Sequence, residues 1–456
     1  MFAYYNNENY KNHIKPALKL FTNCLKYVII LGINVLETNN MKVVVAIDSF
    51  KGSITSADAS RFVKNGILSI YADAQVDTVT MADGGEGFLT SLGRSMEAIM
   101  RTATVTGPLG TKLPVQYGLV PESNTSIIEI AQVVGLNLVP ENSRNPMKTS
   151  TYGVGELILD ALDQGSRNFI IGLGGSATND GGVGMLQALG YQFVNKKNKL
   201  LGLGGNILPE IESIVVTKVD PRLKECKFLV ACDVNNPLFG QNGATHVYGA
   251  QKGATPEMIK LLDSGLVNLS NIVKRVLGKT AATVPGVGAA GGLGYAFVAF
   301  LNGKIESGSK VVGNAVKLED LIKECDVVVT GEGRIDNQTI HGKAPASVAT
   351  LAKKYNKLVV AIAGMVENDI ESCHSVGIDA IFCVQREPLT LDEAMNTMTV
   401  GNNIVATTAQ IFRLIKGVST TIQPDVRDIV VEEVVEEIQE PLDEKMSGDN
   451  AIFGKK

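Results

Sequence analysis

The densest run of chemistry-bearing residues in this 456-residue sequence is LGGSATNDGG at 173–182. Gly174, Gly175, Gly181 and Gly182 bracket Ser176, Thr178, Asn179 and Asp180, after the apolar run NFIIG and ahead of a helical pattern. The loop offers backbone N–H groups, two hydroxyls, an amide and a carboxylate. These are the parts of an anion cradle, and Asp180 is placed to take a proton from an attacking hydroxyl.

Four other loops carry charge where β-branched runs end. SFKGS after Asp48 holds Ser49, Lys51 and Ser53 in a tight turn. A lysine there can meet phosphate; equally, Lys51 reads as a solvated loop residue with Ser53 or Thr55 as an N-cap. ADGGEG at 82–87 sets Asp83 and Glu86 around a glycine pair. Such carboxylates can hold Mg²⁺ or hydroxyls, while Asp83 alone could cap the next helix. KFLVAC is followed by Asp233, Asn235 and Asn236, which suit a metal or substrate and equally an Asx turn. GEGRIDNQTIHGK at 331–343 gathers Glu332, Arg334, Asp336, Gln338, His341 and Lys343, a mixture suited to phosphate together with Mg²⁺. A lone histidine such as His341 more often makes structural hydrogen bonds than does catalysis.

Loops of this kind lie beyond the carboxyl ends of strands in open parallel sheets. The flanking patterns agree: a strand at 42–48, a helix at 56–68 and a strand at 77–81 read as βαβ. Runs at 102–106, 112–120 and 126–131 alternate and are separated by turn residues, as antiparallel strands are. A helix at 153–164, strands at 168–172 and 227–232 and a helix at 256–277 follow. Strands at 326–330, 357–363 and 379–384 restore the α/β alternation, and a helix at 391–415 closes it. The expected fold class is α/β: a discontinuous parallel-sheet domain, 41–84 plus 296–420, with a mixed α/β domain inserted at 85–295. Residues 1–40 read as an extension outside the fold, and 421–456 as an acidic C-terminal tail. The cleft between the domains is the natural ligand site.

Composition excludes several classes. Net charge is −5 with no Lys/Arg stripe, so nucleic acid is not an expected partner. The apolar run 27–36 is too short to span a membrane. Six scattered cysteines without CxxC suit reduced thiols in a cytoplasmic protein. With no tryptophan and 5% aromatics, the core must be aliphatic. GVGAAG at 286–291 matches a dinucleotide fingerprint, but no convincing strand precedes it; a stretch that lets a helix pack closely or lines the cleft is the better reading. GxxxxGK[ST], GxSxG and HExxH do not occur.

In order and spacing, DSFKGS, ADGGEG, VTGPLG, GLGGSATNDGG, ACDVNNPLFGQNGA, PGVGAAGGLG and TGEGRIDNQTIHGK closely resemble the bacterial type I glycerate kinase family over about residues 41–420. The resemblance implies a two-domain fold with a Rossmann-like part. It implies phosphorylation of D-glycerate by ATP with Mg²⁺, giving 2-phosphoglycerate rather than 3-phosphoglycerate. Under it, Asp180 is the expected base, with Asp233 second. Lys51 and Arg334 would hold phosphate or the glycerate carboxylate. Ser49, Ser53, Gly174, Gly175, Ser176, Thr178, Asn179, Asn235, His341 and Lys343 would line the substrate and phosphate site, and Asp83, Glu86 and Asp336 would meet the metal. A kinase for another small hydroxy acid or sugar acid is the main alternative. An NAD-dependent oxidoreductase rests on GVGAAG alone, and a metabolite-binding regulator lacks its usual DNA-binding module. The sequence marks no adenine pocket and leaves open whether the chain is a homo-oligomer.

Overall fold

The run KVVVAI has no polar residue after Lys42, and every later position is buried: it forms β1 (Lys42–Ile47), central in a parallel sheet. In the computed structural model of the chain the described residues are 41–81, 84, 85, 87–337 and 339–438, with the side chains of His341 and of 420–438 excepted. The expected extension 1–40 and the tail beyond 438 therefore lie outside the described residues.

Helix α1 (Ser56–Leu68) starts where Thr55 Oγ1 accepts from Asp58 N at 3.1 Å. Its Ala59, Val63 and Ile67 recur every four residues and are wholly shielded; burying a Val or Ile contributes about 1.5–3 kcal/mol. β2 (Gln75–Thr80) then pairs in parallel with β1. The chain leaves this sheet through α2 (Phe88–Ser95) and enters a second one. There β3 (Ile99–Thr106), β4 (Lys112–Val120) and β5 (Thr125–Glu129) run antiparallel. Helix α3 (Tyr152–Asp163), β6 (Asn168–Gly172) and α4 (Val183–Ala188) follow, then the small pair β7 (Gln192–Val194) and β8 (Ser213–Val215). β9 (Lys227–Ala231), α5 (Pro256–Leu277), α6 (Ala289–Leu301) and β10 (Lys304–Glu306) complete this part. The second sheet has the order β10-β9-β6-β5-β4-β3, parallel from β5 to β10. β10 lies beyond residue 295, where the sequence reading ends the insertion, yet it pairs with β9.

After α7 (Gly308–Ala315) and α8 (Leu318–Glu324) the chain returns to the first sheet. β11 (Val327–Ile335) lies beside β1; α9 (Ala344–Lys353), β12 (Leu358–Val366) and β13 (Ala380–Cys383) finish the parallel order β13-β12-β11-β1-β2. The protein is thus a mixed α/β structure with one parallel and one mixed sheet. Small residues on α9 (Ala344, Ala346, Ala349, Ala352) are buried and let it lie close to the strands.

The helix expected over 391–415 divides. A short helix, Leu391–Met395, ends at Asn396, whose Oδ1 accepts from Met398 N (3.0 Å) and Thr399 N (3.2 Å) and so starts a new one. That helix, α10, runs Thr397–Ile438, so helical backbone continues into the segment expected as a tail. The chain forms two units, one through Thr407 and the other from Thr408 onward. Among the described residues no helix is long and apolar enough to cross a membrane, and no disulfide joins the described cysteines.

Candidate active site

Loops at the carboxyl ends of both sheets meet in a closed circuit. Beside each other at the ends of β1 and β2, Met81 N donates to Ile47 O (3.4 Å). Asp48 N donates to Gly331 O (2.9 Å) on β11, and Lys51 N lies 3.4 Å from where a Cβ on Gly333 would stand. Further along that loop, Gly342 O accepts from Ser309 Oγ (3.1 Å), which also meets Ser347 Oγ at 2.9 Å. Gly308 N donates to Asp233 Oδ1 (2.7 Å), just past β9. The last link returns to the loop after β2: a Cβ on Gly84 would stand 2.6 Å from Ala231 O, and Gly84 has φ +81°. A side chain has neither space nor a relaxed backbone there.

The 173–182 loop joins the circuit by its first residues. A Cβ on Gly174 would lie 2.4 Å from Gly85 Cα, and Gly175 is exposed. Ser176, Thr178, Asn179 and Asp180 are buried beneath. The Asp180 carboxylate, 0% exposed, accepts from Thr151 N (2.8 Å), Thr151 Oγ1 (2.9 Å), Gly182 N (3.1 Å) and Gly184 N (3.3 Å). Burial raises its pKa, and these donors pull the other way. Both its oxygens are engaged, and these bonds tie the loop to Thr151 and to the start of α4. Packing holds it too. Gly181 N donates to Gly291 O (3.0 Å), and a Cβ on Gly291 would fall 2.1 Å from Thr178 O. Ala290, Gly291 and Gly292 take positive φ within α6 to allow that approach. GVGAAG is thus a packing surface.

Beneath the same loop lies Lys252, 2% exposed, whose Nζ donates to Ser176 Oγ (3.0 Å) and Thr178 O (2.7 Å). Desolvation pushes its pKa down to about 7, against the attraction of Asp180. Asn179 Nδ2 donates to Thr245 Oγ1 (2.9 Å).

On the 331–343 loop, Lys343 Nζ stands 3.3 Å from Glu332 Oε2 and 3.4 Å from Asp336 Oδ1. Arg334 pairs with Glu367 and lies 3.6 Å from Asp336. Glu332, 9% exposed, accepts from Thr339 Oγ1 (2.7 Å); burial raises its pKa while Thr339 and Lys343 oppose the rise. The Glu367 hydrogen bond strengthens the charged form of Arg334. Two carboxylates and two cations in alternation give a loop that can exchange its internal partners for an anionic ligand.

The sequence profile of the glycerate kinase family matches residues 43–416. Glycerate 2-kinase of Escherichia coli K12 is 46% identical over 374 residues, covering 81% of this chain and 98% of that protein. Glycerate kinase of Bacillus subtilis 168 is 42% identical over 354 residues, 78% of this chain and 93% of the relative. A solved structure from Salmonella typhimurium LT2, described as a candidate glycerate kinase 2, matches with TM-score 0.74 at 40% identity, over 84% of this chain and 100% of that one.

The chain belongs to the glycerate kinase family. It is therefore a kinase.

In this glycerate kinase family member, residues from all five loops read from the sequence stand on the circuit or beside it. Lys51, Gly174, Gly175, Asp233, Arg334, Asp336 and Lys343 are there. Ser49 N donates to Asp48 Oδ1 (2.6 Å), Ser53 N to Phe50 O (2.8 Å), and Asn235 is exposed. Asp83, Glu86 and the His341 side chain lie outside the described residues. Sequence reading missed Lys252, Thr151 and the start of α7 at Gly308 and Ser309. The only hint of Lys252 is its setting among small residues, GAQKGA, where a long side chain can tuck inward.

Proposed function

We propose that this kinase transfers the γ-phosphoryl group of ATP to the 2-hydroxyl of D-glycerate, giving 2-phosphoglycerate and ADP. The observation that carries the reading is the closed circuit of loops, which brings charged residues from the ends of β1, β9 and β11 to one place beside the glycines that follow β2 and β6. The Escherichia coli relative named glycerate 2-kinase supports the choice of hydroxyl.

In this reading the glycerate oxygen attacks the γ-phosphorus, the bond to the bridging β,γ oxygen breaks, and the hydroxyl proton passes to a carboxylate. Asp233 is our choice for that carboxylate: it sits half-buried on the circuit, whereas Asp180 is sealed. Lys51, Lys343 and Arg334 hold the phosphates or the glycerate carboxylate, a positional and electrostatic task suited to phosphoryl transfer. Among the described residues no three His, Cys, Asp or Glu side chains cluster for a metal. Mg²⁺ in such enzymes is usually held by one or two carboxylates plus phosphate oxygens, and Asp336 suits that smaller share; Asp83 and Glu86, the other carboxylates expected to meet it, flank Gly84 and Gly85 in the sequence. When bound, Mg²⁺ supplies neutralisation of phosphate charge. The segments 41–84 plus 296–420 and 85–295, the latter extended to take in β10, act as two halves whose closure excludes water. A coupled ADP-release assay over glycerate, lactate, tartronate and hexonates, with NMR of the product, tests the reading. Absence of ADP release with glycerate, or 3-phosphoglycerate as product, would overturn it.

A further inference from the structure

Helices α7 and α9 leave a cavity of about 420 Å³ between them, within the ~300–1,000 Å³ usual for small-ligand sites. Its position is informative. One end opens beside Ser309, Gly342 and Ser347, the stretch where Ser309 Oγ reaches both Gly342 O and Ser347 Oγ. That end is therefore part of the loop circuit, one residue from the Gly308–Asp233 hydrogen bond and one from Lys343. Both helices begin there, so their positive ends face the same spot. Away from that end the lining changes. Met81 and Leu318, 1% and 2% exposed, contribute apolar surface together with Ile340 and Leu351. Polar groups come from the exposed side chains at the rim: Lys310 and Asn314 on α7, Glu319 on α8, Thr350 on α9 and Lys354 just past it.

The apolar inner part, Met81, Leu318, Ile340 and Leu351, offers glycerate nothing: it is small and anionic, and every group on it asks for a charge or a hydrogen bond. A flat, mostly apolar ring with a few polar edges suits it well, especially one attached to a chain of negative charges.

We propose that the cavity between α7 and α9 binds the base and ribose of the purine nucleotide donor, with the phosphates directed toward Ser309 and Lys343. The inference rests on the ATP-dependent reading above and deepens it by locating the nucleoside. In the strand order β13-β12-β11-β1-β2 the chain leaves β1 toward β2 and β11 toward β12, in opposite directions, and the cavity is lined by Met81, just past β2, and by Ile340 and Gly342 of the loop after β11; the carboxyl ends at such switch points are where open α/β sheets bind nucleotides.

The test is nucleotide binding measured without glycerate. Asn314→Trp places an indole in the cavity from an exposed helix position, and Thr350→Trp does the same from the facing helix. Titration with a fluorescent N-methylanthraniloyl ADP should show at least tenfold weaker binding for either variant, with KM for glycerate within twofold of wild type. Photolabelling of the wild type with 8-azido-ATP should modify peptides within 307–319 or 340–354. Wild-type binding by both tryptophan variants, labelling confined to other peptides, or a wild type that binds no adenine nucleotide would overturn the proposal. Wild type that binds ADP in this cavity but does not phosphorylate glycerate would sink only the substrate reading. Should one variant fail to fold, the other and the photolabelling still decide.

Discussion

Lys252 Nζ lies 2.7 Å from the carbonyl oxygen of Thr178, an amine sealed under a loop whose leading glycines border the site. No acidic side chain pairs with it at salt-bridge distance among the described residues; its partners are a hydroxyl and a carbonyl. This is an expensive place for a charge, and burial moves the pKa to about 7.

The sign of the consequence follows from proton counting. An unfolded lysine has a pKa of about 10.4, so between about 7 and about 10 the unfolded state binds more protons than the folded one. Stability attributable to Lys252 should therefore rise with pH across that window and fall as pH drops through 7. Urea unfolding from pH 6 to 10 should show the wild type gaining on Lys252→Met as pH rises. A difference independent of pH would contradict the buried-amine account.

Asp180→Asn should act on stability first. The amide group would confront N–H donors of Thr151, Gly182 or Gly184 with another donor, leaving buried groups unsatisfied. A loss of roughly 2–4 kcal/mol in unfolding free energy is expected. A variant as stable as wild type but a thousandfold slower would return the role of base to Asp180.

Asp233→Asn should lower kcat by about 10²–10⁴, the usual contribution of a general base, while KM for ATP changes little. The asparagine oxygen can still accept from Gly308 N, so the thermal midpoint should stay near wild type. Steady-state kinetics together with differential scanning fluorimetry separate the two effects. Unchanged kcat would remove Asp233 from the chemistry.

Gly84→Ala forces a methyl group to within 2.6 Å of Ala231 O at φ +81°. The loop after β2 must move off β9, at about 1–3 kcal/mol. Both a lower melting temperature and a higher KM for glycerate are expected. A variant with wild-type kinetics and melting would show that this contact does not shape the site.

The strands of the parallel sheet are legible because they are buried on both faces: KVVVAI, DVVVT and KLVVAIA leave no other plausible burial. Helix Pro256–Leu277 is equally legible, with Thr255 and Pro256 at its start and Gly278 at its end. What escaped reading is what depends on distant partners. β10 has three residues, and nothing in KIE announces that β9 waits beside it. Asn396 breaks a continuous helical pattern through one side-chain oxygen. The loop 173–182 looked like an open cradle because polar residues between glycines resemble one. Its Ser176 hydroxyl, Asn179 amide and Asp180 carboxylate instead serve Lys252, Thr245 and Thr151, none of them adjacent in sequence. The loops as a set were readable; which side of each loop faces inward was not.

Among the described sheets the chain passes from one to the other between β2 and β3 and returns between β10 and β11. Gly84 and Gly85 lie on the first passage, Gly308 and Ser309 on the second. The passages between the two sheets and the walls of the candidate site are therefore the same pieces of chain. Under the closure proposed above, a machine built this way would need no transmission: a slight swing of one sheet on the other would reshape the chamber directly, and whatever filled the chamber would stiffen both passages at once.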